Sequence, residues 1–290
     1  MSNNCAVRAF QLRDEVQSAT LPVAVLYPTH AAERTQSFGP FSLDVASGAP
    51  VEGTGLPLVL ISHGNGGTPW AYRDLAKHLA THGFVVALPE HTGNCRSDNR
   101  LENTAANLEN RPRHLSLVID ALFADALLGD RLKPDSVGVI GHSIGSYTAL
   151  AVAGGKPWAE PRETEDRQPR PIPVRRDPRV RALVLLTPAV FWFPPGGLKE
   201  VNLPILIRSG SQDQITPVAH AETIVHAVAD ASLVEHEVIS GAGHFSILSP
   251  FPAFLSHPDF PPSQDPEGFD RLAYQPRLFA DIERFLAGNL

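Results

Sequence analysis

The chain has 290 residues, and 24 lysines and arginines against 31 aspartates and glutamates leave a formal charge of −7. With 43% hydrophobic residues and a mean hydropathy of −0.08, this is the composition of an ordinary globular protein, long enough to bury a real core in one large domain. It argues against a wholly disordered chain, and without a long Lys/Arg block there is no electrostatic footprint for nucleic acid or an anionic membrane.

The N-terminus, MSNNCAVRAFQLRDEV, brings in charge by Arg8 and holds no apolar run of signal-peptide length. No window approaches the roughly 18 apolar residues of a membrane span. The two cysteines, Cys5 and Cys95, lie far apart in sequence and read as plain thiols. A cytoplasmic protein is expected.

Short apolar runs then alternate with helix-length amphipathic segments. Strands are predicted at PVAVLYP (22–28), LPLVLIS (56–62), FVVALPE (84–90), SVGVIGH (136–142), RALVLLT (181–187), LPILIRS (203–209) and SLVEHEVI (232–239). Helices are predicted at 69–82, 113–128, 144–153, 217–229 and 269–290. From Leu56 onward the strands are almost continuously apolar, as central strands covered on both faces must be. The fold class is therefore α/β: one domain over 1–290 with a mostly parallel sheet between helices. Two stretches break the rhythm. Residues 94–112 are polar and lead toward the helix near Arg113, and residues 155–180 form a Pro- and Arg-rich excursion that reads as a solvated loop or a partial lid.

The chemistry is carried by Gly141-His142-Ser143-Ile144-Gly145, a G-x-S-x-G sequence directly after a strand and directly before a helix. Such a turn strains the central residue and presents its hydroxyl at the carboxyl end of the sheet. A hydroxyl needs a base, and the base needs an orienting carboxylate, in the chain order Ser, acid, His. Asp213 in SGSQDQITP follows the strand LPILIR, and His244 in SGAGHFSIL follows the last strand. His220, His226 and His236 sit within a predicted helix or strand, and Asp177 and Asp230 lie in the excursion and at a helix end, so all are weaker candidates. The oxyanion of acyl transfer needs two donors. The backbone N–H of Ile144 supplies one, and the N–H of Asn65 in His63-Gly64-Asn65-Gly66-Gly67 the other; His63 reads as structural.

Taken together, LPLVLISHGNGGTPWAYRDLAKHLATHGFVVALPEHTGN, NRPRHLSLVIDAL, VGVIGHSIGSYTAL and GAGHFSILSP with FDRLAYQPRLFADIERFL resemble a serine α/β-hydrolase. Within that superfamily the chain is similar to the platelet-activating-factor acetylhydrolase and dienelactone-hydrolase-like esterases. The resemblance covers residues 21–290. It implies a Ser-His-Asp esterase that needs no metal or organic cofactor, and it supports Asn65 and Ile144 as oxyanion donors. Two departures stand out. After the strand RALVLLT, where animal platelet-activating-factor acetylhydrolases carry their acid, the chain reads LLTPAVFWF, and a serine occupies the place of the dienelactone hydrolase cysteine.

Phe191, Trp192 and Phe193 follow a strand end, Trp70, Phe245 and Ile247 adjoin the oxyanion loop and the base, and His91 ends the neighbouring strand. As pocket walls they suit an acyl chain or an aromatic ester. The expected reaction is hydrolysis of a small-molecule carboxylic ester through an acyl-enzyme. The alternatives are amide or peptide hydrolysis by the same triad, or a non-catalytic ligand-binding module on the same fold.

Overall fold

The computed structural model describes residues 4–290. In chain order the elements are β1 (Asn4–Asp14), β2 (Ala19–Thr29), β3 (Arg34–Phe38), β4 (Phe41–Ser47), β5 (Leu56–Ser62), α1 (Arg73–Thr81), β6 (Val85–Pro89), α2 (Ala105–Phe123), β7 (Leu132–His142), α3 (Ile144–Val152), β8 (Trp158–Ala159), β9 (Arg170–Pro171), β10 (Val180–Leu186), β11 (Ile205–Gly210), α4 (Ala219–Ala227), β12 (Val234–Ile239) and α5 (Arg271–Asn289). Among the described residues ten strands join in one sheet, ordered β12-β11-β10-β7-β5-β6-β2-β1-β4-β3. Strands β6, β5, β7, β10, β11 and β12 run parallel.

The central strands are apolar on both faces because both faces are covered. Leu58 and Leu60 of β5 enter a core with Leu115 and Val118 of α2, Leu150 of α3 and Ile224 of α4. Their neighbours Val59 and Ile61 enter the opposite core with Leu75 and Leu79 of α1 and Leu278 and Ile282 of α5. Period-two alternation thus serves two layers at once, each buried aliphatic side chain contributing about 1.5–3 kcal/mol.

Three expectations require correction. The sheet has an unpredicted N-terminal end: β1 pairs antiparallel with β2 over its full length, β1 pairs parallel with β4, and β3 closes the edge. These strands are half-exposed, so their polar alternation hid them. The second helix starts at Ala105, not near Arg113, and Pro112 lies inside it. The Leu108 carbonyl that Pro112 cannot serve accepts the Tyr147 hydroxyl at 2.9 Å instead, and Thr104 caps the first turn. The excursion at 155–180 is not bare loop: β8 and β9 pair antiparallel, with one short turn of helix at Pro161–Glu163 between them.

Candidate active site

The parallel topology brings the carboxyl ends of β5, β7, β11 and β12 to one edge, where loops of an open α/β sheet form a crevice. Ser143 sits between β7 and α3 with φ 56° and ψ −121°. Its backbone is tied down on both sides, its N–H donating to Leu186 O at 3.1 Å and its carbonyl accepting from Ser146 at 2.9 Å and Ala189 at 3.2 Å. The flanking glycines are a steric necessity. A Cβ on Gly141 would stand 2.2 Å from Gly145 O, and one on Gly145 would stand 2.0 Å from Ser62 O.

His244 follows β12 and is buried, with Nδ1 2.8 Å from Asp213 Oδ2. Asp213 follows β11. Its Oδ1 accepts the Ile215 and Thr216 N–H groups, each at 2.8 Å. Burial pushes the Asp213 carboxyl up, but the hydrogen bond and charge of His244 and the Thr216 bonds outweigh it and hold the group below its ordinary value. An ionised Asp213 accepts the Nδ1 proton, which leaves the His244 lone pair on Nε2. The rival acids lie elsewhere: Asp177 is engaged by Arg179, and Asp230 caps an exposed turn. His220 and His226 lie in α4 and His236 in β12.

A cavity of about 280 Å³ is lined by Gly64, Asn65, His142, Ser143, Ile215, His244 and Phe245, with Phe251 and Phe260 beyond. A second, of about 260 Å³, is lined by Asn65, Leu108, Ser143, Ile144, Phe191, Trp192 and, from the excursion, Arg162 and Glu163. Asn65, Ser143 and Ile215 border both, so the nucleophile candidate stands between two lobes. Glu163 is buried and accepts the Trp192 indole N–H at 2.5 Å, which fixes the excursion as a wall of the second lobe.

Of the predicted pocket residues, Phe245, Phe191 and Trp192 line these lobes; Asn65 borders both lobes and Ile144 the second. Trp70 stacks on Phe38 at 3.9 Å, Ile247 is buried in the α1/α5 core, and Phe193 packs on Tyr147. None of these three borders either lobe. His91 is sealed from solvent, so its expected substrate contact is replaced by a structural one. It lies within a buried chain. His114 donates from Nε2 toward Gln17 Oε1 at 2.9 Å and Asp14 Oδ2 at 3.3 Å, His91 and His114 meet Nδ1 to Nδ1 at 3.2 Å, and the Ser62 hydroxyl meets His91 Nε2 at 2.8 Å. Although Ser62 and His91 form a Ser–His pair, both are fully buried and no substrate reaches them.

Two positions escaped the sequence reading. Arg111 is fully buried, and burial lowers its guanidinium to about 9, so it stays charged near neutrality. It donates to the His63 carbonyl, to Ser62 Oγ at 3.3 Å, to Asn94 Oδ1 at 2.6 Å and to Thr148 Oγ1 at 3.0 Å. Asn94 in turn donates to Asn65 Oδ1 at 2.6 Å, and Asn65 Nδ2 donates to Glu102. The Asn65 side chain is thereby held by its neighbours. The second is Tyr72, whose hydroxyl accepts the Gly64 N–H at 3.1 Å and meets His142 Nδ1 at 2.7 Å. Arg111 lies in NRPRH and Tyr72 in PWAYRD, segments with no local pattern that announces such partners.

Residues 57–195 match the family model described as the alpha/beta hydrolase fold. A solved ferulic acid esterase from Streptomyces cinnamoneus superposes with a TM-score of 0.75 at 19% identity, covering all of this chain and 91% of that one. The chain has the α/β-hydrolase fold. Among curated proteins, a cutinase of Thermobifida alba is 24% identical over 201 residues, 68% of this chain and 56% of the cutinase. A bis(hydroxyethyl) terephthalate hydrolase of Streptomyces coelicolor is 25% identical over 173 residues, 59% of this chain and 45% of that protein. The chain thus spans about half the length of these relatives. No helix among the described residues is long and apolar enough to cross a membrane.

Proposed function

We propose that this protein is a serine hydrolase of carboxylic esters, with Ser143 as nucleophile, His244 as general base and acid, and Asp213 as the carboxylate that orients His244. The observation that carries the proposal is that the strained Ser143 and His244 border one cavity, with Asp213 hydrogen-bonded to His244 Nδ1 behind it. In this reading His244 Nε2 takes the Ser143 proton as Oγ attacks the ester carbonyl, and then passes it to the leaving alcohol. The Asn65 and Ile144 N–H groups receive the oxyanion, and the N-terminus of α3 adds its dipole. Water, activated by the same imidazole, then releases the acid.

Two lobes of modest volume on either side of Ser143, walled by Phe245, Phe251, Phe191 and Trp192, suit short- to medium-chain or aromatic esters. The names of the cutinase, ferulic acid esterase and terephthalate-ester hydrolase relatives point the same way. Placement within the platelet-activating-factor acetylhydrolase and dienelactone-hydrolase-like group rests on the quoted segments alone, and neither named substrate transfers. A cytoplasmic location belongs to the same reading, supported by Cys5 and Cys95, both buried free thiols.

The test is a series of p-nitrophenyl esters from acetate to palmitate on wild type and Ser143→Ala, with intact mass after an organophosphonate. Turnover that peaks at one acyl length, disappears in the variant and is blocked by one phosphonate on Ser143 is expected. Full turnover by Ser143→Ala would remove the proposal.

A further inference from the structure

On the flank of the molecule where α1 packs against α5, three side chains converge that the ester chemistry does not use. His78 lies in the last turn of α1 and His82, four residues on, is the C-cap that ends it, and their rings stack at 4.2 Å. Glu283 of α5 reaches both, its Oε2 lying 2.8 Å from His78 Nε2 and 3.7 Å from His82 Nε2. One donor atom from each of the three lies within 4.8 Å of the others.

We propose that His78, His82 and Glu283 form a binding site for a divalent transition-metal ion, zinc above all, that clasps α1 to α5. Two imidazoles and one carboxylate are a borderline donor set that suits zinc, nickel or copper and not calcium or magnesium, which take oxygen ligands. Two donors each about 2.1 Å from a tetrahedral ion stand about 3.4 Å apart. The observed 2.8 and 3.7 Å bracket that spacing, so small side-chain rotations admit the ion.

His82 is prepared for the task. Its Nδ1–H donates to the His78 carbonyl one turn back at 2.6 Å, which fixes the tautomer and leaves the Nε2 lone pair facing Glu283. His78 takes the ion on Nε2 once its proton there moves to Nδ1 through solvent, and the Glu283 oxygen that had accepted that proton becomes a ligand. The three side chains are 24%, 45% and 30% exposed, so an ion can enter and water can complete the coordination.

Protein stripped with chelator and titrated with zinc chloride in a calorimeter should bind one ion with a micromolar or tighter constant and melt at a higher temperature. Cobalt substitution should give the intense visible bands of a tetrahedral site. His82→Ala at an exposed position and the isosteric Glu283→Gln at a partly buried one should each weaken binding at least tenfold and abolish the rise in melting temperature. Failure of wild type to bind, or unchanged affinity in either variant, would overturn the proposal. The readout is binding rather than turnover, so it stands apart from the fate of the esterase reading.

Discussion

Tyr72 and His142 are joined by a hydrogen bond of 2.7 Å in which the phenol donates and Nδ1 accepts. The direction follows from the other ring nitrogen, which lies 3.1 Å from the His244 carbonyl, an acceptor only, so Nε2 carries the proton. Burial and the neighbouring His244 hold His142 down at about 3, so the ring is neutral and Nδ1 has a lone pair. With Gly64 N–H donating to the same phenol, one chain of bonds runs from the loop after β5 through Tyr72 and His142 to the backbone of His244. Tyr72→Phe strips a partner from two buried groups, at about 1–3 kcal/mol each. A lower denaturation midpoint and about tenfold lower kcat/KM on p-nitrophenyl acetate are expected, since about 1.4 kcal/mol in the barrier is a factor of ten. Wild-type values for both in the variant would refute this coupling.

Gly145 is fixed by contact rather than by conformation. A Cβ there would lie 2.0 Å from Ser62 O and 3.1 Å from His63 O, both backbone atoms where β5 ends and the Gly64–Gly67 loop begins. Gly145→Ala must therefore push α3 away from β5. A loss of about 3 kcal/mol or more is expected, in the range of overpacked cores. Urea unfolding of the variant gives the measurement, and a change below about 0.5 kcal/mol would mean the elbow is slack.

A set of buried histidines sets the acid limit of the fold. His63 and His142 are held at about 3 mainly by burial, His91 falls well below 6.5 and His114 lies below it for the same leading cause. Their folded values lie below the unfolded one, so between about 3 and 6.5 the unfolded chain binds protons that the folded chain refuses. Stability is thus complete above about 6.5 and is lost as the pH falls, each neutral histidine contributing up to about 1.4 kcal/mol per pH unit. Asp14 and Asp213, both held below the ordinary carboxylate value, add a loss of the same sign in stronger acid. Melting temperature measured from pH 7.5 to 4.5 should fall steeply below pH 6; a flat profile would contradict the neutral assignment.

The sequence was most legible where the physics is local. G-x-S-x-G between a strand and a helix states a steric requirement within five residues, and Gly141 and Gly145 meet it through contacts of their own turn and the adjacent strand. Asp213 could be placed because it follows the apolar run of β11, and His244 because a Gly-rich loop follows the last strand, and the structure brings them to 2.8 Å. The start of α2 was hidden because Pro112 does break a helix bond locally, and the cure comes from Tyr147, 39 residues beyond Leu108. Strand β1 was hidden because an edge region with one solvated face lacks the run that marks a central strand. His91 was misplaced for a similar reason. Its position at a strand end suggests the crevice, whereas its side chain turns into the buried chain with Ser62 and His114.

Arg111 is the buried cation on which the loop of His63 to Gly67 leans. Its hydrogen-bond partners are the His63 carbonyl, Ser62, Asn94 and Thr148, all neutral, and Asn94 passes the contact on to Asn65. A guanidinium serves these acceptors at once because its five donors are fixed in a planar fork; an ammonium on a shorter reach serves one or two. Arg111→Lys keeps the charge and breaks the fork, so the loop loses its anchor while both lobes beside Ser143 keep their walls. An interaction made only in the transition state lowers kcat, whereas lost ground-state binding raises KM. The variant should therefore lose about 10- to 100-fold in kcat with KM within about threefold of wild type, consistent with a misplaced oxyanion donor. Arg111→Met, which also strands the His63 carbonyl and Asn94 without a donor, should lose more stability than Arg111→Lys. Steady-state kinetics on one p-nitrophenyl ester, paired with urea unfolding of both variants, separates the outcomes: unchanged kcat in Arg111→Lys would reduce Arg111 to a structural cation and leave Asn65 to be positioned by Glu102 and Asn94 alone.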